Sequence, residues 1–381
     1  MRLSGKTIGF MSANPLEDKR VLSGTMYSMA KAIESTGAKV VRVPVDSSSF
    51  LSKIYLKAVK EAERFLPFLR GRLSKFPMWK CRIVARKLDR RIIGGCDVLF
   101  APMLSGALFL LDTDKPIIYL SDATFRLMNG YYWNDISPKD IKDRDLIEKT
   151  AMDKAAALVY PSHWVARSAV RDYGQSEEKI TIARLGPNID ISQIVPHQFA
   201  FHGKLNILFV GVDWTRKGGQ IAVDACEWLN ANGIESTLHI VGIRSLDGSI
   251  ASLPFVNNHG FLDKNNPEDY DLLGRLYRES DCFLLPTMAE CAGIVFCEAG
   301  AYGLPCFSHD TGGVSDYVFD GETGRLLPVG ATGADFGRVI KECVENGDME
   351  RFSKCAPEVV AERLSWDLWA EKFAGVIENL K

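Results

Sequence analysis

The chain has 381 residues, and its 46 Lys plus Arg against 48 Asp plus Glu leave a formal net charge of -2. That balance excludes a wholly basic nucleic-acid coat and an acidic disordered tail, and the length suits two domains of ordinary size. Nine cysteines, an odd number with no Cys-x-x-Cys pair, argue against a disulfide framework or a zinc ribbon and predict core thiols in a reducing cytosol.

In chain order, the polar start Met1 to Thr7 leads into Ile8-Gly9-Phe10-Met11, an apolar run too short for a signal peptide. Thr7 to Met11 is a predicted strand. Leu22 to Gly37 is a predicted helix, with Met26, Met29, Ala30 and Ile33 at helical spacing and Gly37 as its stop. Strands follow at Lys39 to Val43, Asp97 to Ala101, Pro116 to Leu120 and Ala157 to Tyr160, the last after a polar helix around Leu146 to Ala156. Such alternation predicts a parallel sheet with helices on both faces. It restarts near residue 205. Leu205 to Val210, Thr237 to Val241, Cys282 to Leu285 and Pro305 to Ser308 read as strands. Ile221 to Asn232, Leu272 to Ser280 and Ile294 to Tyr302 read as helices. The expected organisation is therefore two doubly wound halves, residues 1–190 and 204–358, with a linker at Pro187 to Lys204. The closing helix, Trp366 to Leu380, carries Trp366, Trp369, Phe373 and Ile377 on one face. No run of about 18 apolar residues predicts a transmembrane helix.

One stretch breaks the charge balance. Between Lys53 and Arg91 thirteen basic residues face only Glu61, Glu63 and Asp89, a local charge of +10 interleaved with Phe65, Leu66, Phe68, Phe76 and Trp79. Three readings are open: a solvated helical face, a surface that rests on anionic lipid, or a hold for an anionic acceptor.

The residues richest in chemistry are Pro286 to Glu298. A strand ends, a loop turns at Gly293, and a helix opens. The free amides of its first turn, helped by the helix dipole, form a site for an anion such as pyrophosphate. Gly293 lacks a Cβ, so a phosphate can approach its backbone. Glu298 falls about one and a half turns into the helix, where a carboxylate can accept both hydroxyls of a ribose. Glu290 lies in the loop before it.

Glu290 and Glu298 stand in the E-x7-E arrangement of retaining glycosyltransferases with the GT-B fold. The wider run through Cys306, Gly312-Gly313, Gly321, Gly324 and Leu326-Leu327-Pro328 resembles the donor-binding half of glycosyltransferase family 4. The resemblance covers most of 205–330 and is looser before it, though Ser162 to Asp190 still looks like the segment leading to the domain linker. It implies an α/β GT-B fold: two Rossmann-like domains facing a central cleft, an acceptor domain over 1–190, a nucleotide-sugar domain over 204–358, and residues 359–381 packing back on the first. It implies that Glu298 holds the donor ribose, that Glu290 approaches the donor sugar, and that Gly293, Ile294 and Val295 meet the diphosphate and sugar.

Four further elements follow from that resemblance. Gly211-Val212-Asp213-Trp214-Thr215-Arg216-Lys217-Gly218-Gly219 resembles the family's phosphate loop, with Val212 where an Arg is common and Arg216 beside Lys217 as the substitute cation. Two cations can stabilise the leaving diphosphate without a metal; the alternative is an exposed basic turn. Gly24 and Thr25 follow the first strand and could meet phosphate or acceptor, or Ser23 could simply cap a helix. Ser121-Asp122 follows another strand where many relatives carry a His, and makes Asp122 a candidate for orienting the acceptor or stabilising charge at the anomeric carbon, or else a turn cap. Asn258 to Leu262, with Gly260 and Phe261, matches the region whose backbone usually meets the base.

No cofactor and no metal are expected. His163, His197, His202, His239 and His309 lack metal spacing, and the DxD tripeptides Asp112-Thr113-Asp114 and Asp143-Arg144-Asp145 do not end a convincing central strand. The expected activity is retaining transfer of a sugar from a UDP- or GDP-sugar to an acceptor hydroxyl, saccharide or lipid-linked, in surface polysaccharide or glycolipid synthesis. The expected location is the cytoplasm, with a peripheral place on the inner membrane face as an option. Rival readings are a GT-B-like nucleotide-sugar epimerase, which would need no acceptor, and a non-catalytic nucleotide-sugar-binding subunit. A nicotinamide dehydrogenase is disfavoured by the absence of GxGxxG.

Overall fold

The computed structural model describes residues 2–46 and 50–380. Its described residues divide into two compact units. One comprises Met1–Val21, Met26–Ala183 and Ala370–Lys381; the other comprises Leu22–Thr25 and Arg184–Trp369.

The first unit is built on a six-stranded sheet: β1 (Thr7–Ser12), β2 (Lys39–Pro44), β3 (Val98–Pro102), β4 (Ile117–Leu120), β5 (Ala157–Tyr160) and β6 (Ile180–Ile182). The order is β2-β1-β3-β4-β5-β6 and every pairing is parallel. β3, β4 and β5 are buried at every position, which is why they read as unbroken apolar runs rather than alternating ones. Residues after Ala370 join this core: the Phe373 ring meets Phe100 edge-on at 5.0 Å, Phe100 meets Phe10 at 5.0 Å, and Lys372 donates to the Ile182 carbonyl at 2.8 Å.

The expected single helix over 22–37 is broken. Val21–Gly24 forms a 3-10 turn in which Leu22 (φ 49°) and Ser23 (φ 57°) are left-handed, and the α-helix runs Thr25–Ser35. An N-cap residue is extended, so Ser23 does not cap in the usual way. The Thr25 hydroxyl instead donates to the Leu22 carbonyl at 2.7 Å.

The basic stretch folds as a helix Phe50–Phe65, a 3-10 turn Pro67–Leu69 and two helices, Trp79–Lys87 and Arg90–Gly94. Lys53, Lys57, Lys60 and Arg64 recur at helical spacing on one exposed stripe, about a third of a turn round the helix from the buried Ser52 and Val59. Where the helix ends, Phe65 and Phe68 are 73% and 62% exposed, with Leu66 also exposed between them, and Ile54 is exposed near the start of the helix.

The second unit repeats the plan with β7 (Lys204–Val210), β8 (Glu235–Val241), β9 (Val256–Asn258), β10 (Cys282–Leu285), β11 (Cys306–His309) and β12 (Gly324–Leu327). Its order is β12-β11-β10-β7-β8-β9, all parallel. The sheet's winding reverses between β7 and β10. In open α/β sheets ligands bind outside the carboxyl ends of the strands at such a reversal. Here that rule selects two loops, 211–218 after β7 and 286–293 after β10.

Candidate functional site

The two loops at the reversal are tied together by backbone. The Met288 amide donates to the Arg216 carbonyl at 2.7 Å, and the Thr287 hydroxyl lies 3.2 Å from that carbonyl and 3.0 Å from the carbonyl of Ala289. The first loop ends at Gly218 (φ 72°), which opens the helix Gly219–Ala231; the second ends at Gly293 (φ 67°), which opens the helix Ile294–Ala301. Both glycines adopt the left-handed conformation that other residues enter only at a cost.

This frame pairs Lys217 with Glu290. The ammonium and the carboxylate form a direct hydrogen-bonded ion pair, although the residues are 73 positions apart. Their side chains are only 11% and 12% exposed, so each charge depends on the other. Lys217 passes closely over Gly211, where a Cβ would stand 2.9 Å from the lysine Cγ. Arg216 is held differently: its guanidinium donates to the Ala289 carbonyl at 3.0 Å, and its Nε lies 3.6 Å from Asp213. Glu290 also receives order from behind, since the Gly313 amide donates to its carbonyl at 3.0 Å.

Glu298 lies one turn into the helix opened by Gly293, and is 3% exposed. Its Oε1 is 2.5 Å from Lys264 Nζ, and its Oε2 accepts the Tyr277 hydroxyl at 3.2 Å. Tyr277 stands on the helix Pro267–Glu279 and stacks on Tyr302 at 5.1 Å. Burial, then the adjacent Glu298 carboxylate, push the Tyr277 phenol well above its ordinary value, so it stays a donor. Gly293, Ile294 and Val295 form the N-terminal turn of the same helix, with Gly293 buried and the other two partly exposed. Gly260 and Phe261 follow β9, and the Arg244 guanidinium stacks over the Phe261 ring at 4.4 Å.

Gly24 and Thr25 group with this second unit. Thr25 accepts from Asn188 Nδ2 at 2.9 Å, while Asn188 Oδ1 is buried with no partner among the described residues. Asp122 belongs to the first unit, just past β4, where the Ser121 hydroxyl donates to the Ala123 carbonyl at 2.6 Å. Asp112 and Asp114 occupy the loop before β4. Asp143 and Asp145 are on the helix Pro138–Lys154, where they take Lys139 at 2.6 Å and the Tyr173 hydroxyl at 2.9 Å. His309 is fully buried between the carbonyls of Thr287 and Ala331, each at 3.2 Å, and so braces the 286–293 loop.

Sequence reasoning did not find Lys264, Tyr277, Asn188 or Arg244. Lys264 follows Asp263 in a polar loop and carries no motif; Tyr277 reads as core. For Lys264 and Tyr277 the one signal is that a buried Glu298 needs a partner for its charge.

Residues 191–359 match the family Glycosyl transferases group 1. The chain is 25% identical over 319 residues to a D-inositol 3-phosphate glycosyltransferase of Nocardia farcinica, covering 78% of this chain and 68% of that one. Across three such curated relatives the chain spans 52% to 68% of their length. Among solved structures, a glycosyltransferase from Rickettsia africae superposes with a TM-score of 0.65 at 15% identity, covering 98% and 99% of the two chains. HepE from Anabaena, solved with UDP and glucose, gives 0.63 at 15% identity and covers 98% and 100%. Two parallel Rossmann-like units and the two loops joined at the winding reversal give this chain the GT-B fold, and residues 191–359 within it match Glycosyl transferases group 1.

Proposed function

We propose that the chain transfers a glycosyl unit from a UDP- or GDP-sugar to an acceptor hydroxyl with retention at the anomeric carbon, in the making of a surface polysaccharide or glycolipid. The observation that carries this reading is the meeting of Lys217 with Glu290 at the mouth of the helix opened by Gly293, with Glu298 buried one turn below. The amides at Gly293 and Ile294 hold the diphosphate. Lys217, joined by Arg216, takes up the charge that develops as the bond from C1 to the phosphate oxygen breaks. Glu298 accepts the ribose hydroxyls and Glu290 orients the sugar. The acceptor oxygen bonds to C1 on the face that the diphosphate leaves, and its proton passes to the departing phosphate oxygen. Gly24, Thr25, Gly260 and Phe261 complete the donor site, with Asp122 orienting the acceptor, and the chemistry is metal-independent.

A thermal-shift panel of UDP, GDP, ADP, CMP and dTDP, without and with magnesium, tests this. A nucleotide at about 100 times its Kd adds about 2.7 kcal/mol, enough to raise the midpoint by roughly 5 to 10 °C. One responding nucleotide, indifferent to magnesium, is the expected result. Silence from all five would defeat the donor-site reading, and dependence on magnesium would defeat its metal independence.

We further infer that residues 53–91 rest on an anionic membrane surface. The lysine and arginine stripe supplies attraction to lipid headgroups, and the exposed rings of Phe65 and Phe68 at the end of that helix supply apolar anchors. Sedimentation with phosphatidylcholine vesicles is expected to be negligible. Adding about 30% phosphatidylglycerol should recruit the protein at 50 mM salt and release much of it at 500 mM. Phe65→Ser with Phe68→Ser should weaken recruitment at both salts. Binding that ignores lipid charge and salt would sink the idea.

A further inference from the structure

We propose that Lys264 is a positioning residue for the donor ribose, acting through Glu298; this rests on the reading of Glu298 as the ribose acceptor. A carboxylate that is 3% exposed must be partnered, and the partners it has are unequal. Lys264 holds Oε1 and Tyr277 holds Oε2. Each carboxylate oxygen can accept two hydrogen bonds, so one position on each oxygen stays available. That arrangement matches the two hydroxyls of a ribose.

Two donors from two different elements fix the plane of the carboxylate. Tyr277 is anchored by its stack on Tyr302. Lys264 is anchored by the loop that carries it: the Asp263 amide donates to Asp269 at 2.9 Å, the Asn265 amide to Asp263 at 2.9 Å, and Asn266 caps the next helix through the Glu268 amide at 3.0 Å. A glutamate free to rotate would lose that rotamer freedom on binding; one clamped beforehand does not. Lys264 also cancels the charge of Glu298. Without it, a bare carboxylate would face a ligand that is itself an anion. Finally, Lys264 is three residues past Phe261, so the loop expected to meet the base is tied to the group expected to meet the ribose.

The test is calorimetric titration of UDP and 2′,3′-dideoxy-UDP, with the two guanosine counterparts in parallel, into the wild-type chain, Lys264→Met and Lys264→Arg. The wild type is expected to favour the ribose form by about 10- to 100-fold, as befits hydrogen bonds to a charged group. Lys264→Met should bind both forms weakly and within about threefold of each other, with Lys264→Arg regaining part of the discrimination. In turnover, Lys264→Met should raise the donor KM while kcat stays within about threefold. Tyr277→Phe, which removes the other donor without changing charge, should lower discrimination in the same direction and serves if Lys264→Met does not fold. A Lys264→Met chain that keeps the wild-type preference, or that loses affinity equally for both forms, overturns the role of Lys264. A wild type that does not distinguish the two forms overturns the ribose reading itself.

Discussion

Replacing Lys217 by Ala is expected to lower kcat by about 100- to 1000-fold, the usual cost of removing one preorganised donor from a developing anion. Two consequences are mixed in that change and can be separated. The first is chemical: the leaving diphosphate loses a cation that is already ordered in the site. The second is electrostatic: Glu290, with its side chain only 12% exposed, is left without the ammonium that now pairs with it. Lys217→Met keeps the stem that packs over Gly211 and removes only the charge. Both variants should lose turnover alike if the charge is what matters. Adding Glu290→Gln to Lys217→Met removes the carboxylate that has lost its ammonium, so it should recover part of the melting temperature but not kcat. Near-normal turnover in Lys217→Met would remove Lys217 from the diphosphate.

The alternating architecture was legible because strands covered on both faces read as plain apolar runs, and because Gly37, Gly233 and Gly303 end the helices they follow. β6 and β9 escaped because three residues are too short to show any period. The helix Gly333–Glu345 has a full capping box between Thr332 and Asp335, a local start signal that the strand-and-helix alternation alone does not include. The break at Leu22 and Ser23 was beyond pattern reading, since left-handed turns are expected at glycine rather than there.

The candidate site divides in the same way. Glu290, Glu298, Gly293 and the Arg216-Lys217 pair stood out through local spacing. Their partners did not, because the sheet reversal brings together loops 73 residues apart and Lys264 reaches Glu298 across 34. Spacing along the chain identifies which groups are present. The winding of the sheet decides which of them touch, and a +10 stretch does not reveal which of its side chains stay exposed until the helix carrying them is built.

A large loss of stability is expected from Gly218→Ala. Gly218 has φ 72°, and a Cβ placed there would stand 2.1 Å from the Pro286 carbonyl oxygen. That oxygen is backbone at the end of β10, so no side chain can swing aside to make room. Two penalties therefore add: the left-handed conformation costs an L-residue about 1–2 kcal/mol, and the overlap forces the two loops apart at their closest approach. A total of about 3–5 kcal/mol is expected, a fall of roughly 6 to 20 °C in the melting midpoint for a unit of this size. The separation would be felt at the site as well, since the Met288–Arg216 backbone bond and the Lys217–Glu290 pair both span the same gap. Gly233→Ala supplies the comparison. It also has a positive φ, of 89°, but nothing stands within 4 Å of its added Cβ. It should show the conformational penalty alone, about 1–2 kcal/mol, with turnover intact. If Gly218→Ala melts no lower than Gly233→Ala, the close approach of the loops is not holding this unit together. If it melts lower and also loses nucleotide affinity, the packing of the 211–218 loop against Pro286 is what keeps the phosphate site in register.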